Sequence, residues 1–387
     1  IYSSPICLIG SAGAFRYSAI MRIGIPKEIK NHENRVGLNP ESVAVLVDDG
    51  HAVFVEAGAG QGIGATDADY GGAGAQIMHD ADAVFDAAQM IIKVKEPQKV
   101  EWERLTPDHI LFTYLHLAPD PDQARGLMGS GCAAIAYETV TDDTGGLPLL
   151  TPMSAVAGRM APQMAAFYAQ RHFGGNGILS SGVQGAAPAR CVVIGCGVSG
   201  SGAVQIAKGL GMDVVILERG VERLAHLSHS YPAVQLFEST PETIRRECLN
   251  ADIVIGAVLI PGAAAPKLID RALIRDMKAG SVVVDIAIDQ GGCIETSRPT
   301  THQDPIYVID DVVHYCVANM PGAYPKTSTA ALNNATLPFI RRLAGQGLEG
   351  ALSADFHLAN GLNVYQGKIV NKAVAEALDM PYTPWSS

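Results

Sequence analysis

Short apolar runs rich in β-branched residues alternate with helical stretches along most of the chain, and this alternation restricts the fold more than any other feature. In the first half the runs are 21–25, 52–56, 90–94, 110–115 and 133–137, with helical stretches such as 40–48 and 80–88 between them. A second series follows at 191–194, 213–217, 252–258, 281–286 and 307–309, with helical stretches at 201–210 and 241–249. Continuously apolar strands need cover on both faces, which parallel sheets with helical crossovers supply. The expected class is therefore α/β: two Rossmann-like domains with parallel sheets and the active site in the cleft between them. A chain of 387 residues suits two cores rather than one.

The first series ends near a Gly- and Pro-containing stretch at 144–152. A long helical stretch, 154–173, and a Gly-rich loop, 174–188, lead into the second series, which closes around 319–325. The tail from 328 to about 378 reads as mostly helical and is expected to pack back onto the first domain. The expected division is a leader or upstream extension at 1–20, a discontinuous substrate and catalytic domain at 21–150 plus 326–387, and a dinucleotide-binding domain at 151–325. Residues 6–15 are apolar and small, but a signal peptide's basic start and cleavage site are missing, and Met21 opens a native-looking start.

Apolar residues make up 48% and charged residues 17%, which favours a large core over disorder. The net charge of −11 makes nucleic acid and anionic membrane poor general partners. No apolar run approaches the roughly 20 residues of a membrane span. The seven cysteines are odd in number and form no Cys-x-x-Cys pair, so reduced thiols and a cytoplasmic location are expected. A zinc site from Cys191 and Cys196 is disfavoured, because both lie in or beside a strand-to-helix turn with another task.

That turn is Gly195-Cys196-Gly197-Val198-Ser199-Gly200, which follows an apolar strand and opens a helix. A second strand ends at Glu218, 23 residues beyond Gly195. Gly195 permits the tight turn, Gly197 lets backbone approach a pyrophosphate, and Gly200 allows close helix–strand packing. The helix N-terminus offers unpaired N–H groups and partial positive charge to phosphates. Glu218 can accept from adenosine ribose hydroxyls and would repel a 2′-phosphate, so NAD is favoured over NADP; Arg219 softens the preference. A second glycine run, Gly60-Gln61-Gly62-Ile63-Gly64-Ala65, lacks a sustained helix and a strand-end acid, and is read as packing.

Four polar residues fall at strand ends or in loops beside them, where ligands of parallel sheets bind. They are Arg35 in the loop after the first strand, Lys95 after 90–94, His116 after 110–115, and Asp289 after 281–286. Arg grips a carboxylate as a fork and Lys as a point charge. His shuttles protons near neutral pH, and a carboxylate can polarise water or hold ammonium. Bland alternatives stand beside each: a hydrogen-bonded strand-end His, a surface ion pair of Lys95 with Glu96, a turn-forming Asp before Gly-Gly. Position alone does not decide between them.

Several ordered segments carry a family resemblance. They are Gly24-Ile25-Pro26-Lys27-Glu28 with Asn34-Arg35-Val36, Lys93-Val94-Lys95-Glu96-Pro97, Leu115-His116-Leu117-Ala118, Ile255-Gly256-Ala257-Val258, the run from Val284 to Gly292, and Val317-Ala318-Asn319-Met320-Pro321. From Met21 to about Thr383 the chain resembles the alanine dehydrogenases, relatives of the NAD-binding subunit of proton-translocating transhydrogenase. The resemblance implies a reversible, NAD-dependent oxidative deamination of L-alanine to pyruvate and ammonium. It makes His116 and Asp289 the catalytic pair, and Arg35 and Lys95 the substrate-binding pair. The implied cofactor-binding set is Ser154, Gly195, Gly197, Val198, Gly200, Glu218, Arg223, Ser239, Val258, Leu259, Ile286, Asp289, Arg298, Asn319 and Met320. A homo-oligomer, commonly a hexamer, is implied too.

The chain departs from the family pattern in places. Glu218 stands where Asp is usual, Cys196 where Ala is usual, and Gly37 and Asn39 where an alanine and a hydroxyl residue are usual. Some relatives carry a divalent-metal site on the C-terminal helix; Arg342 and Gln346 fall there, so no metal is expected. Two other functions compete. One is the transhydrogenase NAD(H)-binding subunit, disfavoured because no Arg-Gln-Gly-Asp-like loop is seen. The other is a non-catalytic NAD-binding regulator, disfavoured by the four-residue constellation.

Overall fold

The computed structural model describes residues 20–258 and 265–385. The expected leader at 1–20 therefore lies, Ile20 apart, outside the described residues. Six strands come first: β1 (Arg22–Ile25), β2 (Ala52–Glu56), β3 (Gln76–Met78), β4 (Met90–Ile92), β5 (Ile110–Thr113) and β6 (Ala133–Ala136). Seven follow: β7 (Arg190–Ile194), β8 (Asp213–Glu218), β9 (Gln235–Glu238), β10 (Ile253–Gly256), β11 (Val282–Asp285), β12 (Ile306–Ile309) and β13 (Val312–Tyr315). Near the C-terminus come β14 (Leu362–Tyr365) and β15 (Lys368–Ile369).

Two sheets result, of eight and seven strands. The first runs β3-β2-β1-β4-β5-β6-β14-β15 and the second β9-β8-β7-β10-β11-β13-β12. The first six strands of each sheet follow one doubly wound order, and all are parallel to their neighbours. β14, β15 and β12 add antiparallel edges. In this order the chain reverses direction between β1 and β4, and again between β7 and β10. Such switch points open crevices at the carboxyl ends of the strands, where ligands bind.

Each sheet is covered on both faces. Along β5, Ile110 and Phe112 join the core on one side of the first sheet and Leu111 joins the core on the other. Along β7, Cys191 and Val193 face one core of the second sheet, Val192 and Ile194 the other. Burying one such side chain contributes roughly 1.5–3 kcal/mol. This two-sided burial is why the runs are apolar throughout.

The long helix expected at 154–173 is Thr151–Tyr168, followed by a separate turn at Arg171–Phe173. Pro152 sits in its first turn, where a missing N–H costs nothing. Asn39 caps the helix Pro40–Asp48 by accepting from Ser42 N, as a hydroxyl residue would. Gly37 is needed here: a Cβ would fall 2.4 Å from Ile92 O. The tail is not all helical. The long Pro325–Ala354 element breaks at Gly347, and β14 and β15 pair with each other and with β6. No helix among the described residues is long and apolar enough to cross a membrane.

Candidate active site

The glycine turn after β7 takes a backbone path only glycine supports at two points. Gly195 has φ +85°, and a Cβ on Gly200 would sit 1.9 Å from Gly195 O. A Cβ on Gly197 would meet nothing within 4 Å, so space is open at the N-terminus of the helix Val198–Gly209. That space belongs to a cavity of ≈ 470 Å³. Of the expected cofactor residues, Ser154, Gly195, Gly197, Val198, Glu218, Arg223, Ser239 and Val258 line it. Gly200 lies beneath the turn as packing.

Glu218 also holds the turn. Its carboxylate accepts from Cys196 N at 2.6 Å and Arg219 N at 2.8 Å. Arg223 Nη2 donates to Cys196 O at 2.7 Å. The longer arm of Glu thus reaches back to the loop as well as facing the cavity. Cys196 itself is buried.

A smaller cavity of ≈ 80 Å³ adjoins, lined in part by Met153, Ser154, Val258, Ile286, Asp289 and Met320. Ser154 and Val258 line both. Arg298 lines neither: it is exposed, with its guanidinium 4.1 Å above the Tyr307 ring. Leu259 lies outside the described residues. Asp289 follows β11 on a short turn, Ile288–Gln290. Buried Asp285 at the end of β11 ties the loop back by accepting from Cys293 N at 3.2 Å and Ile294 N at 3.1 Å.

Opposite stand the strand ends of the first sheet. Arg35, 2% exposed, is gripped by Glu33: Nε donates to Oε1 at 2.7 Å and Nη2 to Oε2 at 2.6 Å. Nη2 also donates to Asn319 Oδ1 at 2.8 Å, and Nη1 points at Met153 Sδ at 3.0 Å. Thioether sulfur is a weak acceptor, so Nη1 is the donor most open to exchange for a ligand carboxylate. Burial pushes the Glu33 carboxyl up, but the Arg35 guanidinium outweighs it and holds the group at about 2. Glu33 was not singled out in the sequence; its one signal is an acid two positions before an Arg in a short loop. The glycine run 60–65 supports that loop, since a Cβ on Gly62 would fall 2.0 Å from Asn34 O.

Lys95 is buried, and burial lowers its pKa, offset in part by Glu96. The charges of Lys30 and Arg35 lower it further, and that of Asp289 opposes them. Two residues earlier, fully buried Lys93 bridges Glu28 at 2.9 Å and Glu101 at 2.8 Å, anchoring the strand end.

His116 adopts φ +48°, a left-handed conformation uncommon outside glycine. Glu138 holds it there: its carboxylate accepts from His116 N at 2.6 Å and Leu115 N at 3.2 Å. Glu138 Oε1 also lies 4.0 Å from His116 Nδ1, and the imidazole stacks on Tyr114 with centroids 5.8 Å apart. Strain of this kind concentrates at functional sites. Among the described residues no group of three or more His, Cys, Asp or Glu is arranged to hold a metal; Arg342 pairs with Asp355.

Residues 24–157 match the family model for the alanine dehydrogenase/PNT N-terminal domain, and residues 161–372 the model for its C-terminal domain. The chain is 53% identical over 368 residues to an alanine dehydrogenase of Halomonas elongata, covering 95% of this chain and 99% of that one. It is 46% identical to an alanine dehydrogenase of Mycolicibacterium smegmatis, covering 94% and 98%. A solved L-alanine dehydrogenase superposes with TM-score 0.89 at 48% identity, over 93% of this chain and 99% of that one. A transhydrogenase from Sinorhizobium meliloti, 24% identical, superposes with TM-score 0.78 over 90% and 100%, which bears on fold alone. Matched in order by both domain models, and by relatives about half identical along nearly their whole length, the chain belongs to the alanine dehydrogenase/PNT family.

Proposed function

We propose that this protein is an L-alanine dehydrogenase, interconverting L-alanine and water with pyruvate and ammonium, with NAD as its dinucleotide. The observation that carries the reading is buried Arg35, tied by Asn319 to the dinucleotide domain, together with a glycine turn that has open space at Gly197. Bound there, NAD would supply the hydride acceptor for the alanine Cα. Gly197 and the helix N-terminus would receive its pyrophosphate, Glu218 and Ser239 its adenosine ribose, and Ser154, Val258, Ile286 and Met320 its nicotinamide end.

The chain's own groups do the rest. Arg35 Nη1, turning from Met153, takes the substrate carboxylate, and Lys95 holds the substrate oxygen. His116 gives and takes protons as water adds to the imine and the carbinolamine collapses. Asp289 steadies the water and the leaving ammonium from the other side of the cleft. The domain division at 21–150 plus 326–387 and 151–325 is supported by β14 and β15 joining the first sheet.

The reading includes a homohexamer and a cytoplasmic location; the six described cysteines are buried and unpaired, which suits a reducing compartment. The test is absorbance at the NADH band with L-alanine, glycine or L-serine and either NAD or NADP, with the oligomer sized by light scattering. NADH formation with alanine, weaker with the other two, is expected, with NAD preferred by more than about tenfold through Glu218. No NADH formation with alanine would remove the reading.

A further inference from the structure

The turn that carries Asp289 is gripped at its exit by one side chain. Lys267 Nζ donates to Gly292 O at 3.0 Å and Ile294 O at 3.3 Å, and also to Gly291 O. The remaining carbonyl of that run, Cys293 O, accepts from Leu268 N at 2.8 Å. On the N–H side, Gly291 N donates back to Ile288 O at 3.1 Å and Gly292 N to Ala287 O at 2.9 Å, which closes the turn. Asp285 takes Cys293 N and Ile294 N. Every backbone polar group from 291 to 294 thus has a partner, and Lys267 alone supplies the one for three of the carbonyls.

The segment needs such a clamp. Gly291 and Gly292 both take positive φ, +89° and +70°, so the chain leaves the Asp289 turn along a path that no helix or sheet ladder holds. Carbonyls stripped of their partners there would cost free energy on the scale of lost hydrogen bonds. An ammonium on a flexible stem turns its donors independently, which suits oxygens spread along a bend.

The clamp starts from the wall of the larger cavity. Lys267 stands between Pro266 and Leu268, which both line that cavity, while Asp289 lines the smaller one. Lys267 itself lines neither. Past Leu268 the contact continues as a parallel bridge between Ile269 and Ile294. One side chain therefore joins the wall of the larger cavity to the turn bearing Asp289. We propose that Lys267 is a positioning residue for the reaction, holding Asp289 in a fixed place relative to bound dinucleotide and acting only through that carboxylate. The proposal rests on the alanine dehydrogenase reading, in which Asp289 serves the water and ammonium steps.

The experiment is a double-mutant cycle on the purified full chain, read as kcat with pyruvate, ammonium chloride and NADH. Its members are wild type, Lys267→Met, Asp289→Asn and the double variant. Lys267→Met keeps an apolar stem and removes every donor. It is expected to lower kcat by at least about tenfold, the scale on which a small displacement of a catalytic group acts. NADH Kd should stay within about threefold of wild type, because Lys267 lies outside the lining of the larger cavity. In the Asp289→Asn background the same substitution should cost less than about threefold, since the carboxylate it positions is already gone. A lysine that only stabilised the loop would cost the same factor in both backgrounds.

A loss that persists in the Asp289→Asn background overturns the proposal. So does a Lys267→Met enzyme that keeps more than about a tenth of the wild-type kcat. If Lys267→Met shows no cooperative thermal melt, Lys267→Arg takes its place in the cycle. Its planar fork does not reproduce the compact ammonium, and its loss, expected to be at least about threefold, must likewise vanish in the Asp289→Asn background. An Asp289→Asn enzyme with the wild-type rate removes the carboxylate's catalytic role, and the proposal with it. Wild-type enzyme that fails to oxidise NADH with pyruvate and ammonium defeats the enzyme reading itself, an outcome distinct from all of these.

Discussion

Asn319 ties the two sides of the cleft together at Arg35. Its Oδ1 accepts from Arg35 Nη2 at 2.8 Å while its Nδ2 donates to Glu33 Oε2 at 2.9 Å. One amide therefore contacts both members of a buried ion pair. It does so from the loop after β13, in the other sheet's domain. Asn319→Ala leaves Glu33 and Arg35 paired but unties the domains. Each lost bond to a charged group is on the scale of 1.5–3 kcal/mol, roughly. The expected outcome is a KM for pyruvate raised by about tenfold or more, with kcat reduced less. Steady-state kinetics in pyruvate at saturating NADH and ammonium provide the check; an unchanged KM would mean that the amide does not help close the cleft.

Glu33 makes the fold sensitive to acid. Its carboxyl drops from the ordinary 4.5 to about 2 because the Arg35 guanidinium outweighs the burial that opposes ionisation. A carboxyl depressed in the folded state adds stability above its unfolded pKa and loses it as pH falls through the folded value. The window is therefore about pH 4.5 down to 2, and the contribution at neutral pH is roughly 3 kcal/mol. Glu33→Gln cannot titrate. Urea midpoints should show it less stable than wild type by about that amount at pH 7, and by about half as much at pH 3. A gap that does not narrow with acid would contradict the assignment.

Gly197 and Gly200 separate binding from folding within one turn. Gly197→Ala places a methyl where nothing lies within 4 Å, on a backbone with φ −73° that any residue accepts. The methyl would stand in the space meant for pyrophosphate. NADH affinity should fall by about tenfold or more with the melting temperature nearly unchanged. Gly200→Ala drives a methyl into Gly195 O, 1.9 Å from the ideal Cβ. That variant should be destabilised by about 1–3 kcal/mol. Calorimetry and NADH fluorescence titration on the pair read both effects, and equal loss of stability in the two would refute the distinction.

How much of this was legible in the sequence depended on burial. Strands buried on both faces, such as β5 and β10, announce themselves as apolar runs, and β2 at 52–56 was readable to the residue. β3 and β9 did not, because they are short, half exposed and at sheet edges. β13 is fully buried, yet only Asp310 and Asp311 separate it from β12, both with positive φ, so the run at 307–309 was read as the last strand and β13 was missed. β14 carries Asn363 in its centre and pairs across the sheet with β6, a contact no local pattern reports.

The site divided the same way. Glycines with a geometric task and strand-end polar residues were legible, because their reasons are local. Glu33 and Glu138 were not, since each matters through a partner: Arg35, and the backbone at His116. Arg298, expected at the cofactor, stacks on Tyr307 away from both cavities.

His116 and Asp289 should behave as one chemical unit divided between the domains. His116 stands at the end of a first-sheet strand, held at φ +48° by Glu138 and stacked on Tyr114. Asp289 stands in the loop after β11, lining the smaller cavity beside Met320. His116 lines neither cavity, and Asp289 lines the smaller one but not the larger. Loss of a positioned acid or base costs ~10²–10⁴-fold in rate, or roughly 3–5 kcal/mol of barrier. His116→Ala and Asp289→Asn should each fall by at least that much, with the NADH Kd of His116→Ala staying within about threefold of wild type. If both serve the same water and proton transfers, the double variant should be little slower than the worse single one. Full additivity would assign them to separate steps. A His116→Ala enzyme retaining more than about a tenth of the wild-type rate would remove acid–base chemistry from this position.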